Sequence, residues 1–268
     1  MKWVCKDNRI VLDELAEKMP EASKGTLREI LKEGRFLVKE QVVKSNISLQ
    51  KGDVCEIKAK KKYTSDIEIL YEDKEIIVVE KPEGLLSVAT SREIEHTLHN
   101  KLKRRFSRVW PVHRLDRETS GLLVFALTEE ARSGLIEQFS KHTIEREYRA
   151  IVVGKIPQNG IWKHHLVEDG NLKMHVTHQN GMYAETHFTR LEIKGGNSFV
   201  QFKLKTGKKN QIRVQSSAMG FPILGDKKYG TMELDADRMY LHAHKLGFFH
   251  PISKKKMVFY SPIPFSIR

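Results

Sequence analysis

The sequence predicts an α+β protein built on a mainly antiparallel sheet and preceded by a smaller α/β module. Two observations carry this. From Ile67 onward, β-favouring stretches follow one another at irregular spacing with few helices between them, so regular βαβ alternation is missing. Before them, the amino-terminal stretch holds its own pair of helices and a hairpin, tied to the rest by a short basic connector. The expected division is a domain over 1–60, a linker over 61–66 and a large domain over 67–268.

In the small domain, Leu12, Leu15, Ala16 and Met19 recur at helical spacing, and Pro20 ends that helix. Ser23 is a good N-cap for a second helix, with Leu27, Ile30 and Leu31 as its buried stripe and Gly34 where a C′ glycine stops the turn. Lys24, Arg28 and Lys32 line its other face, and Arg35 lies just past its end. Strands are expected over 35–38 and 41–43. The alternation of Val54, Glu56 and Lys58 against Cys55, Ile57 and Ala59 adds another over 53–59. In the large domain strands are expected over 67–71, 76–80, 122–127, 148–153, 186–192, 199–204, 241–249 and 257–261. Helices are expected over 95–103, over the Thr128-capped stretch with Ala131, Leu135, Ile136 and Phe139, and over 211–219.

Composition narrows the partner but not the reaction. A formal net charge of +13 and a pI near 9.6 favour a polyanion, with RNA, DNA and an anionic membrane surface all admissible. No stretch approaches the roughly 18 consecutive apolar residues of a spanning helix, and the start Met1-Lys2-Trp3-Val4-Cys5 lacks the apolar run of a signal peptide. A cytoplasmic protein without a membrane partner is the expectation. Cys5 and Cys55 have no C-x-x-C spacing and read as small buried apolar residues. His164, His165, His175, His178, His187, His242, His244 and His250 are numerous, yet no H-E-x-x-H or cysteine-assisted spacing joins them, so neither metal nor cofactor is expected.

The chain is organised around residues 112–126, Val-His-Arg-Leu-Asp-Arg-Glu-Thr-Ser-Gly-Leu-Leu-Val-Phe-Ala. A Thr-Ser-Gly turn feeding an apolar run reads as a loop entering a buried strand, which holds the residues before it rigidly at the strand end. There Asp116 lies between Arg114 and Arg117, which would keep it ionised and able to act as a base or a nucleophile, although a lone aspartate in such a loop more often caps a turn.

This string resembles the signature of the RluA family of RNA pseudouridine synthases. The resemblance implies the pseudouridine synthase fold, a long bent mixed sheet with a central cleft, and makes Asp116 the catalytic residue and Arg114 the side chain that fills the gap left by a flipped nucleotide. Residues 144–154, Ile-Glu-Arg-Glu-Tyr-Arg-Ala-Ile-Val-Val-Gly, resemble the family's K-x-Y-x-A-x-V-x-G strand, with Arg146 in the lysine position. There the resemblance implies that Tyr148 stacks on the uracil and assists proton removal from carbon 5. Residues 204–215, Leu-Lys-Thr-Gly-Lys-Lys-Asn-Gln-Ile-Arg-Val-Gln, resemble the L-x-T-G-R-x-H-Q-I-R block and match Arg213 to the arginine that pairs with the catalytic aspartate.

Two positions of that block depart from the family. Lys208 stands where arginine is usual, keeping the charge for backbone phosphate but losing the planar fork. Asn210 stands where histidine is common, reads as an N-cap of the following helix, and argues against histidine acid–base chemistry. Lys81-Pro82-Glu83-Gly84-Leu85 resembles the family's K-P-x-G-L stretch and reads as a structural turn.

Residues 9–58 resemble the alpha-L RNA-binding domain first seen in the small-subunit ribosomal protein S-four, with Lys39-Glu40 where Asn-Gly is usual at the hairpin tip. Its implied RNA face is Lys24, Arg28, Lys32 and Arg35. Together the resemblances imply a monomeric enzyme that isomerises specific uridines of structured RNA, with large-subunit ribosomal RNA favoured over transfer RNA. The alternatives are a catalytically silent RNA-binding or ribosome-assembly factor on the same fold and a base-removing glycosylase.

Overall fold

The computed structural model describes residues 1–32, 34–58, 67–90, 93, 95–178, 180–230 and 236–267. Ala59 and the expected linker over 61–66 lie outside them. The chain forms two compact units, Met1–Ser65 and Asp66–Arg268.

In the first unit β1 (Lys2–Val4), β2 (Arg9–Ile10), α1 (Val11–Lys18), α2 (Lys24–Lys32), β3 (Phe36–Val38), β4 (Gln41–Val43), β5 (Ser48–Leu49) and β6 (Val54–Ile57) follow in order. A sheet in the order β1-β6-β3-β4 packs with both helices around Leu15, Leu27, Ile30, Phe36, Cys5 and Cys55, and β2 pairs β5 beside it. The Ser23 hydroxyl accepts from the Thr26 backbone N–H at the start of α2, and Gly34 (φ +67) ends it. The buried face of α1 is rotated from the apolar stripe: Ala16 is exposed, while Glu14 is buried because the Trp3 indole N–H and the Arg9 guanidinium both bind its carboxylate. At the hairpin tip Lys39 and Glu40 both take positive φ, 49° and 69°, as a two-residue I′ connection demands.

The second unit comprises β7 (Ile69–Glu72), β8 (Ile76–Lys81), α3 (Leu98–Lys103), β9 (Trp110–Pro111), β10 (Ser120–Ala126), α4 (Glu129–Ser140), β11 (Glu145–Val153), β12 (Asn159–Glu168), β13 (Met174–Thr177), β14 (Met182–Lys194), β15 (Asn197–Leu204), α5 (Gln211–Ala218), β16 (Leu241–Phe249) and β17 (Lys256–Tyr260). They build an 11-stranded sheet in the order β13-β12-β14-β15-β11-β16-β10-β8-β7, with β17 added to β16 and β9 to β10. β10 and β16 run parallel, and every other pairing between strands of this sheet is antiparallel among the described residues. This is the mixed, mainly antiparallel α+β sheet that the strand spacing predicts.

Apolar clusters clothe the sheet. Ala131 and Leu135 of α4 pack on Ile76, Val78, Leu122, Val124 and Leu246, while Ile212 of α5 packs on Ala150, Val152, Trp162, Phe188 and Phe202. The Thr128 hydroxyl caps α4 by accepting from the Ala131 N–H. α3 starts later than the pattern predicts because the Thr97 hydroxyl caps it, accepting from Asn100 N–H. β12 and β13 were not expected at all. Trp162 and Leu166 face the core from β12, while Ile161 and Val167 on its other face are exposed, so period-two alternation is blurred. Among the described residues no helix is long and apolar enough to cross a membrane, and no group of His, Cys, Asp and Glu is placed to hold a metal ion.

Candidate active site

The loop before β10 is held from several sides. All of Ser120–Ala126 is buried, and Gly121 (φ +112) lies so close to β16 that a Cβ there would sit 2.3 Å from the Ala243 carbonyl oxygen. The residues flanking Asp116 are pinned separately. The Ser87 hydroxyl donates to Leu115 O at 2.8 Å and accepts from Leu115 N–H at 3.0 Å. On the other side, Arg117 O accepts from Gly84 N–H at 2.7 Å and from the Lys81 ammonium at 3.1 Å, which also donates to Pro82 O and Leu85 O at 2.8 Å each. His113 accepts from Val124 N–H through Nε2, and burial, helped by the Arg146 charge, pushes its pKa down to about 3, so it is a neutral strut.

The cation that meets Asp116 comes from α5, not from its own loop. Arg117 turns away to pair with Glu93. Arg213 Nη1 donates to Asp116 Oδ2 at 2.8 Å and lies 3.5 Å from Glu118 Oε2. Its other edge is taken by Asp226, with Nε on Oδ2 at 2.7 Å and Nη2 on Oδ1 at 2.8 Å. Burial opposes the Arg213 cation, but the hydrogen bonds and charges of Asp226 and Asp116 more than offset it and raise its pKa above the ordinary value. Asp226 is itself buried; that burial is outweighed by Arg213 and by the N–H groups of Lys228 and Tyr229, which hold its carboxyl below the usual range. Asp226, in the stretch Gly225-Asp226-Lys227-Lys228-Tyr229-Gly230, lies outside the residues that the sequence singles out. The available signal was an aspartate two and three residues ahead of backbone donors it can cap.

Asn210 stands at the N-cap position but does not cap. Its backbone is left-handed (φ 52°, ψ 23°) and its side chain makes no cap hydrogen bond. Gln211 serves the helix start instead, its Oε1 accepting from Lys208 N–H and from the Thr206 hydroxyl. That frees the Asn210 amide, whose Nδ2 donates to Asp116 Oδ2 at 2.6 Å while its Oδ1 accepts from the Tyr229 hydroxyl at 3.2 Å. Tyr229 in turn accepts from Met174 N–H at 3.0 Å, and Arg213 lies 5.4 Å from its ring centre.

Arg114, Asp116, Tyr148, Lys208, Asn210 and Arg213 line one cavity of about 70 Å³, closed on its apolar side by Leu115, Leu204, Ile212 and Leu241. Tyr148 projects from β11, and burial, with a smaller contribution from Asp116, raises its phenol pKa, so the ring is a neutral face. Arg114 is exposed. The remaining sequence-predicted residues belong to the first unit: Lys24, Arg28 and Lys32 are exposed on α2, whereas Arg35 is half-buried and its Nε donates to Lys58 O at 3.1 Å.

Residues 75–218 match the family model described as RNA pseudouridylate synthase, which takes in both the Asp116 loop and α5. The chain belongs to that family. Its members are isomerases, and several relatives span nearly the whole of it. The uncharacterized RNA pseudouridine synthase YlyB of Bacillus subtilis (strain 168) is 32% identical, covering 93% of this chain and 89% of that one. The ribosomal large subunit pseudouridine synthase D of Vibrio cholerae is 30% identical, covering 93% and 86%. Among solved structures, human RNA pseudouridylate synthase domain containing 1 superposes with a TM-score of 0.67 at 26% identity, covering 78% of this chain and 88% of that one. The large mixed, mainly antiparallel sheet is thus that of a pseudouridine synthase fold.

Proposed function

We propose that this synthase converts a uridine of large-subunit ribosomal RNA to pseudouridine, with Asp116 as the catalytic carboxylate. The observation that carries the reading is the carboxylate itself: it faces a cavity shared with the aromatic face of Tyr148 and is held by Arg213 and Asn210 on a loop fixed at both neighbouring residues. The reaction breaks the bond from ribose C1′ to uracil N1, turns the base and joins C1′ to C5. The C5 proton is released and N1 gains one, so no outside energy source is needed.

The residues divide the work. Asp116 attacks the base or ribose or takes a ribose proton, Arg213 balances its charge, and Tyr148 offers a flat face on which a detached base can rotate while its hydroxyl assists removal of the C5 proton. Arg114, exposed at the rim, occupies the gap left by the flipped nucleotide, and Lys208 meets backbone phosphate. The first unit acts as an S-four-type RNA-binding module through Lys24, Arg28 and Lys32. The ribosomal target rests on the relatives named for the large subunit. RNA carrying tritium at uracil C5 tests the reading: the wild-type protein releases tritium to water and Asp116→Asn does not, while still binding RNA. No release by the wild type on ribosomal RNA would leave a silent binder, and an abasic product would make the protein a glycosylase.

A further inference from the structure

We infer that Asn210 is a positioning residue for the reacting carboxylate, and that together with Arg213 it ties down Oδ2 of Asp116 so that Oδ1 is the atom that meets the substrate. This rests on the proposed role of Asp116. A carboxylate oxygen offers two lone-pair directions, and those of Oδ2 are taken by Arg213 Nη1 at 2.8 Å and Asn210 Nδ2 at 2.6 Å. Oδ1 accepts no hydrogen bond among the described residues and keeps both of its pairs for chemistry.

The amide is oriented from behind. Met174 N–H donates to the Tyr229 oxygen, so the Tyr229 hydroxyl spends its proton on Asn210 Oδ1, and the NH₂ end must turn to Asp116. The left-handed backbone of Asn210 aims that side chain and is one asparagine tolerates, while Gln211 relieves it of any capping duty. The groups around the carboxylate are Arg213 and Glu118, Lys208 and Arg114 on the cavity wall, Tyr148 and Tyr229, with Asp226 behind Arg213. Among them Asn210 is the direct donor to Asp116 that bears no charge. An amide can neither take a proton from the carboxylate nor lose its own.

The electron count is the same for each route open to the aspartate. Oδ1 gives the pair of the new bond and recovers it when that bond breaks. If it attacks ribose C1′, the glycosidic pair leaves on N1. If it adds to uracil C6, the C5–C6 π pair moves through C5 onto O4. If it takes the C2′ proton, that C–H pair becomes a C1′–C2′ double bond as N1 leaves. Oδ2 keeps both donors throughout.

The test compares Asn210→Gly, which keeps the left-handed backbone and removes the amide, Asn210→Asp, which keeps the shape and replaces donor by acceptor, and Asn210→His, which restores a donor. Tritium release is measured as kcat and KM, with thermal melts as the folding control. The glycine variant should lose on the order of 10- to 100-fold in kcat with KM within about threefold. The aspartate variant should lose at least as much, and the histidine variant should recover to within about tenfold of wild type. A glycine variant with wild-type kcat, or a loss confined to KM, overturns the inference, as does a histidine variant no better than glycine. Should the aspartate variant fail to fold, the glycine and histidine variants still decide. Asp116→Asn separates the two levels: an active Asp116→Asn defeats the reading of Asp116, whereas an inactive one beside a fully active glycine variant defeats only the role of Asn210.

Discussion

Asp226 grips Arg213 fork to fork, with Nε on Oδ2 at 2.7 Å and Nη2 on Oδ1 at 2.8 Å, and so leaves Nη1 as the donor for Asp116. One carboxylate thus aims the cation that serves another. Asp226→Asn keeps the shape but removes the charge that fixes this fork. Turnover should fall about 10- to 100-fold and unfolding free energy by about 3 kcal/mol, because a buried guanidinium loses its partner. Tritium release and urea melts on the same preparation check both; a stable variant with full turnover would mean that Asp116 alone orients Arg213.

Acid should destabilise the fold before it reaches the carboxylates. His242 is fully buried, with Nδ1 on the Ser120 hydroxyl and Nε2 on the Ser261 hydroxyl, and burial, reinforced by His244 and Arg238, pushes its pKa down to about 4. Between its ordinary 6.5 and about 4, the unfolded chain binds the proton and the folded chain does not. Stability is therefore lost as pH falls through that window, by on the order of 3 kcal/mol from this group. Asp226, held below its ordinary 3.8, adds a loss of the same sign at lower pH. Denaturant melts from pH 7 to 4 should show this slope together with that of His113, whose pKa burial pushes down to about 3, and His242→Gln should remove its own share and leave that of His113.

Tyr148 separates stacking from proton transfer. Its phenol stays neutral at neutral pH. Tyr148→Phe should bind RNA as the wild type does yet slow tritium release by about 100-fold or more, the scale of a lost general acid–base step. Tyr148→Ala should additionally weaken binding by about 1–3 kcal/mol, the contribution of one stacked base. Equal tritium release from Tyr and Phe would confine the residue to stacking.

For the first unit, replacing Lys24, Arg28 and Lys32 together by alanine should lower the slope of log affinity against log salt by roughly 2–3 and leave turnover at saturating RNA intact. Filter binding across a salt series measures it, and an unchanged slope would make α2 an ordinary solvated face. Arg35 is left out because its Nε already serves Lys58 O, so its loss should register in stability.

Where one local signal decided the structure, the sequence was readable. The apolar run of β10 and the Thr128 cap of α4 are such cases. Where a distant partner decided, it was not. Glu14 is buried in α1 because Trp3 and Arg9 pair with it, and Arg117 leaves Asp116 for Glu93, 24 residues away. Asn210 was misread for the same reason: the capping preference of asparagine is real, but Gln211 meets the demand first, and the amide finds Asp116, 94 residues away. The role of Asp226 follows from a fork that only the folded loop brings to α5.

The parallel contact between β10 and β16 spans only Ser120↔His242 and Gly121↔Ala243, yet it joins the two halves of the sheet. Asp116 belongs to one side of that seam, at the foot of β10, and Arg213 to the other, on the helix packed against β12 and β13. The carboxylate and its cation are 97 residues apart in the chain and on opposite sides of the seam, so they should meet only when it closes during folding. Secondary structure should return earlier than turnover on dilution from denaturant, and the lag would time the closing of that seam and of the packing of Leu246 against α4 and β8. A half-folded chain would hold every strand it needs and still convert no uridine.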